Sequence, residues 1–160
     1  MCIRDRLKVV LKTTPRETYT PRGDNNELQI GTWGTDRGLE PFVDPVYVFP
    51  YDKRSWMAPA FGTWHASGGK QGEKPPEEYL KAFEMFAQFR SAVDPVKQVE
   101  IGKALVKYAA EQLWVIGTVG AIPSIPVVKN NFRNVPENAA TDWIFMSPGN
   151  LDPAHWFFKK

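Results

Sequence analysis

Apolar, strand-like runs near both ends of the chain, with two amphipathic helical segments between them, predict an α/β or α+β domain. The length supports this class, because 160 residues suit one domain that can bury a core of its own. No internal repeat interrupts that order.

The first strand candidate is "LKVVLKTT" (7–14), which turns polar at Pro15. "PRETYTPRGDNNE" (15–27) has loop or short-helix chemistry, with Gly23, Asp24 and Asn25 marking a turn. "LQIGTW" (28–33) is the second strand candidate. Residues 34–76 form a long irregular stretch rich in Pro, Gly and aromatic residues. A loop of that length is uncommon unless it is functional or disordered. Residues such as Val46, Phe49, Tyr51 and Phe61 argue against disorder, so the stretch is expected to be ordered against something.

"PPEEYLKAFEMFAQFRSAV" (75–93) predicts a helix. Pro76 suits its first turn, Glu77 and Glu78 favour its positive end, and Tyr79, Phe83, Phe86 and Phe89 share a face. "DPVKQVEIGKALVKYAAEQL" (94–113) predicts another, capped by Asp94 and opened by Pro95. Its expected apolar stripe is Val99, Gly102, Val106, Ala109 and Leu113. "LWVIGTVG" (113–120) then reads as a buried strand, and the prolines of "AIPSIPVVKNN" confine that segment to an edge or an extended crossing. "NFRNVPENA" reads as a loop, and "DWIFM" and "HWFFKK" as short strands around the turn "SPGNLDP".

Composition narrows the function classes. Six Trp and ten Phe are a surplus, which means either a large aromatic core or flat surfaces for stacking. A net charge of +2 with interspersed signs gives no nucleic-acid footprint. Cys2 is the single cysteine and cannot form an internal disulfide. It sits in "MCIRDR", which resembles a translated sequencing adapter. Residues 1–6 are therefore expected to be a non-native leader, with the natural chain longer on that side. No apolar signal core follows the basic residues, and no run approaches the ~20 apolar residues of a membrane span.

Catalytic and metal chemistry find little support. There is no G-x-S-x-G, the one thiol lies in the leader, and His65 and His155 lack metal-ligand spacing. His65 reads as a locally hydrogen-bonded loop residue, and the glycines of "SGGKQGE" as turn glycines rather than a phosphate loop. Asp36 with Glu40, or Asp44 with Asp52, are carboxylate pairs of the kind a glycoside hydrolase needs, but any chain this long contains such pairs. Binding remains. Trp33, Trp56 and Trp64 fall in or beside the irregular segment and suit a cleft wall, or else core filling. Asp36 suits a ligand cation and Arg37 a ligand carboxylate, unless both belong to a solvated turn.

The order "ELQIGTWGTD", irregular aromatic segment, helix, "DPVKQVEIGKALVKYAAEQ", then "LWVIGTVGAIPSIPVVKNNFRNVPE" is similar to the C-terminal part of the family 5 extracellular solute-binding proteins. These serve bacterial oligopeptide and dipeptide ABC importers. The resemblance runs from Leu7 to Lys160 and is most specific from Asp94 to Asn134. It implies an α/β chain forming part of a two-lobe periplasmic binding protein fold (type II, peptide-binding cluster), incomplete here. Residues 7–113 would belong to the C-terminal ligand-binding lobe, and 114–160 would cross the hinge and return to an N-terminal lobe missing from this chain.

The same resemblance implies a non-enzymatic receptor without cofactor or metal, periplasmic or extracellular and membrane-anchored, delivering its ligand to a membrane permease. Asp36 matches the aspartate that holds a peptide's α-amino group in peptide-binding relatives. Residues 36–76 are longer and richer in Trp than the simple peptide-binding pattern. An oligosaccharide ligand, as in other relatives, would instead favour Trp33, Trp56 and Trp64. The fragment alone is expected to bind ligand weakly or not at all, and to expose apolar strands that lack partners. A carboxylate-dependent hydrolase domain and a self-contained helical interaction module are the rival readings.

Overall fold

The computed structural model describes residues 10–34, 41–118, 125 and 127–159. Among them, regular structure is mostly helical: α1 (Arg16–Asp24), α2 (Pro59–Ala66), α3 (Glu77–Ser91) and α4 (Pro95–Glu111), followed by the strands β1 (Phe132–Arg133) and β2 (Phe157–Phe158). Two 3₁₀ turns, Gly149–Leu151 and Pro153–His155, precede β2.

Helix α1 is short and carries Pro21 inside it, which removes one backbone bond from an already marginal element. Its stop is well made. Asn26 adopts φ +59° and donates its N–H to the Gly23 carbonyl, while the Glu27 N–H reaches the Arg22 carbonyl at 2.8 Å. This is the Schellman arrangement, with Asn in the left-handed position. The turn expected at residues 23–25 thus lies one or two residues later, because the helix continues through Asp24.

Residues 41–58 run irregularly over the helices, and they supply much of the core. Val46, Phe49, Pro45, Pro50 and Ser55 are fully buried. Burying a Phe side chain contributes roughly 1.5–3 kcal/mol, which outweighs any local preference of so proline-rich a segment. Ser55 ties the turn together, since its Oγ donates to the Phe49 carbonyl and accepts from the Tyr51 N–H. For the described part of the stretch, from residue 41 on, the expectation that it is ordered against something holds, and its partner is α3: Phe49 packs on Phe83 and Phe86.

Helix α2 lies inside the stretch read as irregular. Eight residues containing Gly62, Thr63, Trp64 and His65 give weak helix propensity, so the sequence signal is poor. Tertiary contact decides it. Gly62 seats against the Asp52 backbone so closely that a Cβ there would fall 2.2 Å from the Asp52 carbonyl oxygen. The helix ends in a second Schellman stop, with Gly68 at φ +62° and the Gly69 N–H on the Trp64 carbonyl at 2.9 Å. "SGG" is therefore a helix stop, in agreement with its reading as turn glycines.

Helices α3 and α4 form an antiparallel pair joined by residues 92–94. Phe83 and Phe86 of α3 are buried, with Tyr79 and Phe89 half-buried, as the spacing predicts. The Asp94 side chain accepts from the Val96 N–H at 2.9 Å and caps α4, with Pro95 at its first position. The expected stripe of α4 needs correction. Gly102 and Leu105 are buried, but Val99 and Val106 are exposed. The helix is rotated so that Gly102 admits the rings of Phe42 and Phe89, whose carbons lie 2.9 and 3.2 Å from where a Cβ would stand. The Tyr108 hydroxyl donates to the Glu78 carbonyl at 3.0 Å and locks the far end of the pair.

The strand expectations fare differently. Strands β1 and β2 pair antiparallel, Phe132 opposite Phe158 and Arg133 opposite Phe157. β2 falls in the expected "HWFFKK", whereas β1 lies in the segment read as a loop. Residues 10–14, 28–33, 113–118 and 142–146 form no strand, which corrects the expectation for the described parts of those segments; residues 7–9 and 119–120 lie outside them. A strand gains its backbone bonds only from a neighbour, and no ladder partner lies beside these segments among the described residues. The Thr32 carbonyl is instead taken by the Tyr19 hydroxyl.

Candidate functional site

Helix α1 builds one side of an aromatic patch. Tyr19 and Gly23 are four residues apart and so share a face. The Trp56 ring fills the space over Gly23, where a Cβ would stand 2.6 Å from it. The Trp56 indole N–H donates to the Asp24 carboxylate at 2.9 Å, which fixes the ring's direction, and Lys53 lies 3.8 Å from the same carboxylate. Tyr19 meets Trp56 edge-on at 5.2 Å.

Trp33 completes the patch. Its ring stacks on Tyr19 at 5.7 Å and 10° and meets Trp56 edge-on at 5.4 Å. The Arg16 guanidinium stands 5.4 Å from the Trp33 ring, within cation–π range. Trp33 keeps 40 % of its surface exposed, so part of a flat ring faces outward between a guanidinium and a carboxylate-bonded indole. Aromatic surface with a few fixed polar groups is the composition that small-ligand sites use.

Of the residues singled out in the sequence, Trp33 and Trp56 are thus brought together. Trp64 goes elsewhere: it packs against the Phe49–Phe83–Phe86 core, with Gly69 closing on its ring. Asp36 and Arg37 lie outside the described residues, which resume at residue 41 after Gly34. Tyr19, Arg16 and Asp24 were not singled out, although the Tyr19/Gly23 spacing carries a signal once residues 16–24 are taken as helix.

The carboxylate pair Asp44 and Asp52 is close in space but joined by a cation. Arg54 grips Asp44 at 2.9 and 3.0 Å and Asp52 at 2.6 and 3.1 Å. Hydrogen bonding to Asp52, then to Asp44, raises the Arg54 pKa further above its ordinary range despite partial burial. A glycosidase acid must hold a proton near the scissile bond, whereas these two carboxylates are committed as acceptors to one guanidinium. His65 donates from Nδ1 to the Tyr51 carbonyl at 2.8 Å, since a carbonyl can only accept. It stands in α2 and its partner lies 14 residues away, which corrects its reading as a locally bonded loop residue.

Among the described residues no group of His, Cys, Asp and Glu could hold a metal ion, and no helix is long and apolar enough to cross a membrane. No protein-family model and no curated protein sequence matches the chain.

Proposed function

We propose that this chain is the C-terminal part of a two-lobe solute-binding receptor of the family 5 type, which takes peptides from outside the membrane and delivers them to an ABC permease. Two things support the reading: the order of segments that resembles that family, and the aromatic patch at Tyr19, Trp33 and Trp56, which carries it. Its Trp33 closes the Gly/Trp-bearing segment, three residues before the Asp36 that matches the family's ammonium-binding aspartate. A peptide would lay apolar side chains on Trp33 and give its α-amino group to Asp36. Closure of the opposing lobe would desolvate both contacts, and ligand favours the closed form only insofar as it touches both lobes. The mechanism requires no covalent step, cofactor or metal.

Calorimetric titration of the intact two-lobe receptor with short peptides and with oligosaccharides tests the proposal. Asp36→Ala is expected to weaken peptide binding at least about tenfold, equivalent to ~1.4 kcal/mol, and to leave a neutral sugar nearly unaffected. If sugars bind and peptides do not, the ligand is an oligosaccharide. If neither binds, or Asp36→Ala changes nothing, the patch is structural.

A further inference from the structure

A concave site, independent of the aromatic patch and of the receptor reading, lies between residues 51–52, α2 and α3. It is a cleft of about 430 Å³ lined by Tyr51, Asp52, His65, Phe83, Phe86 and Arg90. That volume falls within the roughly 300–1,000 Å³ of small-molecule sites. Its walls are flat and mutually braced. The His65 imidazole lies on Phe83 at 4.3 Å, and Tyr51 stands 5.5 Å from His65 and edge-on to Phe86 at 5.8 Å.

The polar groups of the cleft are few and of definite sign. Because Nδ1 of His65 donates to the Tyr51 carbonyl, the neutral ring presents Nε2 as an acceptor, and no described residue bonds to it. Arg90, in the last turn of α3, has no carboxylate partner among the described residues. Asp52 also lines the cleft, but its carboxylate is turned to Arg54. One guanidinium, one fixed acceptor and aromatic walls between them define a complementary ligand. We infer that the cleft binds a small aromatic carboxylate bearing a hydroxyl or N–H donor. Its carboxylate would pair with Arg90, its ring would lie against Tyr51 and the exposed edges of Phe83 and Phe86, and its donor would reach Nε2 of His65.

The test is an NMR titration of the whole chain with 4-hydroxybenzoate at about pH 8, where a carboxylic acid is fully ionised. Two close analogues accompany it: 4-hydroxybenzamide lacks the charge and 4-methoxybenzoate lacks the donor. Saturable amide shifts confined to residues 50–53, α2 and α3 are expected, with each analogue bound at least about fivefold more weakly. Arg90→Gln is expected to abolish the preference for the charged probe alone. His65→Asn, whose amide N–H can keep the bond to the Tyr51 carbonyl but whose shorter side chain leaves no acceptor at the Nε2 position, is expected to abolish the preference for the hydroxyl alone. Absence of saturation at about 10 mM, a range in which even millimolar affinity registers, would overturn the inference. So would preferences unchanged in both variants when their unliganded spectra retain the native dispersion.

Discussion

Gly23 shows how one residue fixes the proposed site. In a helix, Ala normally outranks Gly by roughly 0.8–1 kcal/mol, and Gly23 lies in the last turn of α1. Here the Trp56 ring occupies the side-chain position at 2.6 Å, so a methyl group must displace an indole that is held by Asp24. Gly23→Ala is therefore expected to destabilise the chain by about 1–3 kcal/mol, the usual cost of overpacking, and to shift tryptophan fluorescence as Trp56 leaves Tyr19 and Trp33. Chemical denaturation followed by fluorescence measures both; a variant as stable as the parent, with unchanged emission, would show that the patch tolerates Trp56 moving. In the sequence Gly23 reads as a turn residue. Its packing role could not be read there, because Trp56 lies 33 positions away along the chain.

At the scale of elements, the α3–α4 pair separates what is local from what is not. The Asp94 cap and Pro95 opening are legible because they act on backbone groups two residues away. Asp94→Ala is expected to cost about 0.5–2 kcal/mol in a denaturant titration, and no measurable loss would mean that the α3–α4 contacts alone hold the helix start. The buried face of α4 was legible only in part. Val99, Gly102 and Val106 satisfy helical spacing, yet the contact runs through Gly102 and Leu105. Leu105→Ala is accordingly expected to cost about 2–5 kcal/mol, whereas Val106→Ala should stay within about 0.5 kcal/mol. The reverse order would restore the stripe read from spacing. Helix α2 escaped the sequence for a related reason: its eight residues have poor intrinsic propensity and are held by the Asp52 backbone and the two glycines of its stop.

For the molecule as a whole, the distribution of apolar surface is the informative quantity. Phe42, Val48, Tyr51 and the facing sides of α3 and α4 pack theirs around Phe49, Phe83, Phe86 and Leu105. Beyond α4 the pattern inverts, and Leu113, Ile116, Val127, Trp143 and Met146 are all exposed. Large apolar side chains exposed in such number favour association. The chain is expected to self-associate at high concentration, which light scattering would register as a mass rising with concentration. Replacing Leu113, Ile116 and Val127 by Ser should reduce that association without lowering the unfolding midpoint. A concentration-independent monomer mass would show that these residues are harmless where they stand.

The sequence by itself determined the two long helices, their capping and the aromatic face of α3, since these follow from period and from interactions within a turn of the backbone. It also determined that the proline-rich aromatic stretch before α3 would be ordered, as its described residues from 41 on are. Only the tertiary structure decided that Trp33 and Trp56 meet on α1 while Trp64 joins the core, that Arg54 binds Asp44 and Asp52 together, and which apolar segments lack a strand partner among the described residues. Those outcomes depend on rings, charges and backbone groups far apart in the chain. Local spacing sets which groups are available, and packing alone sets which of them touch.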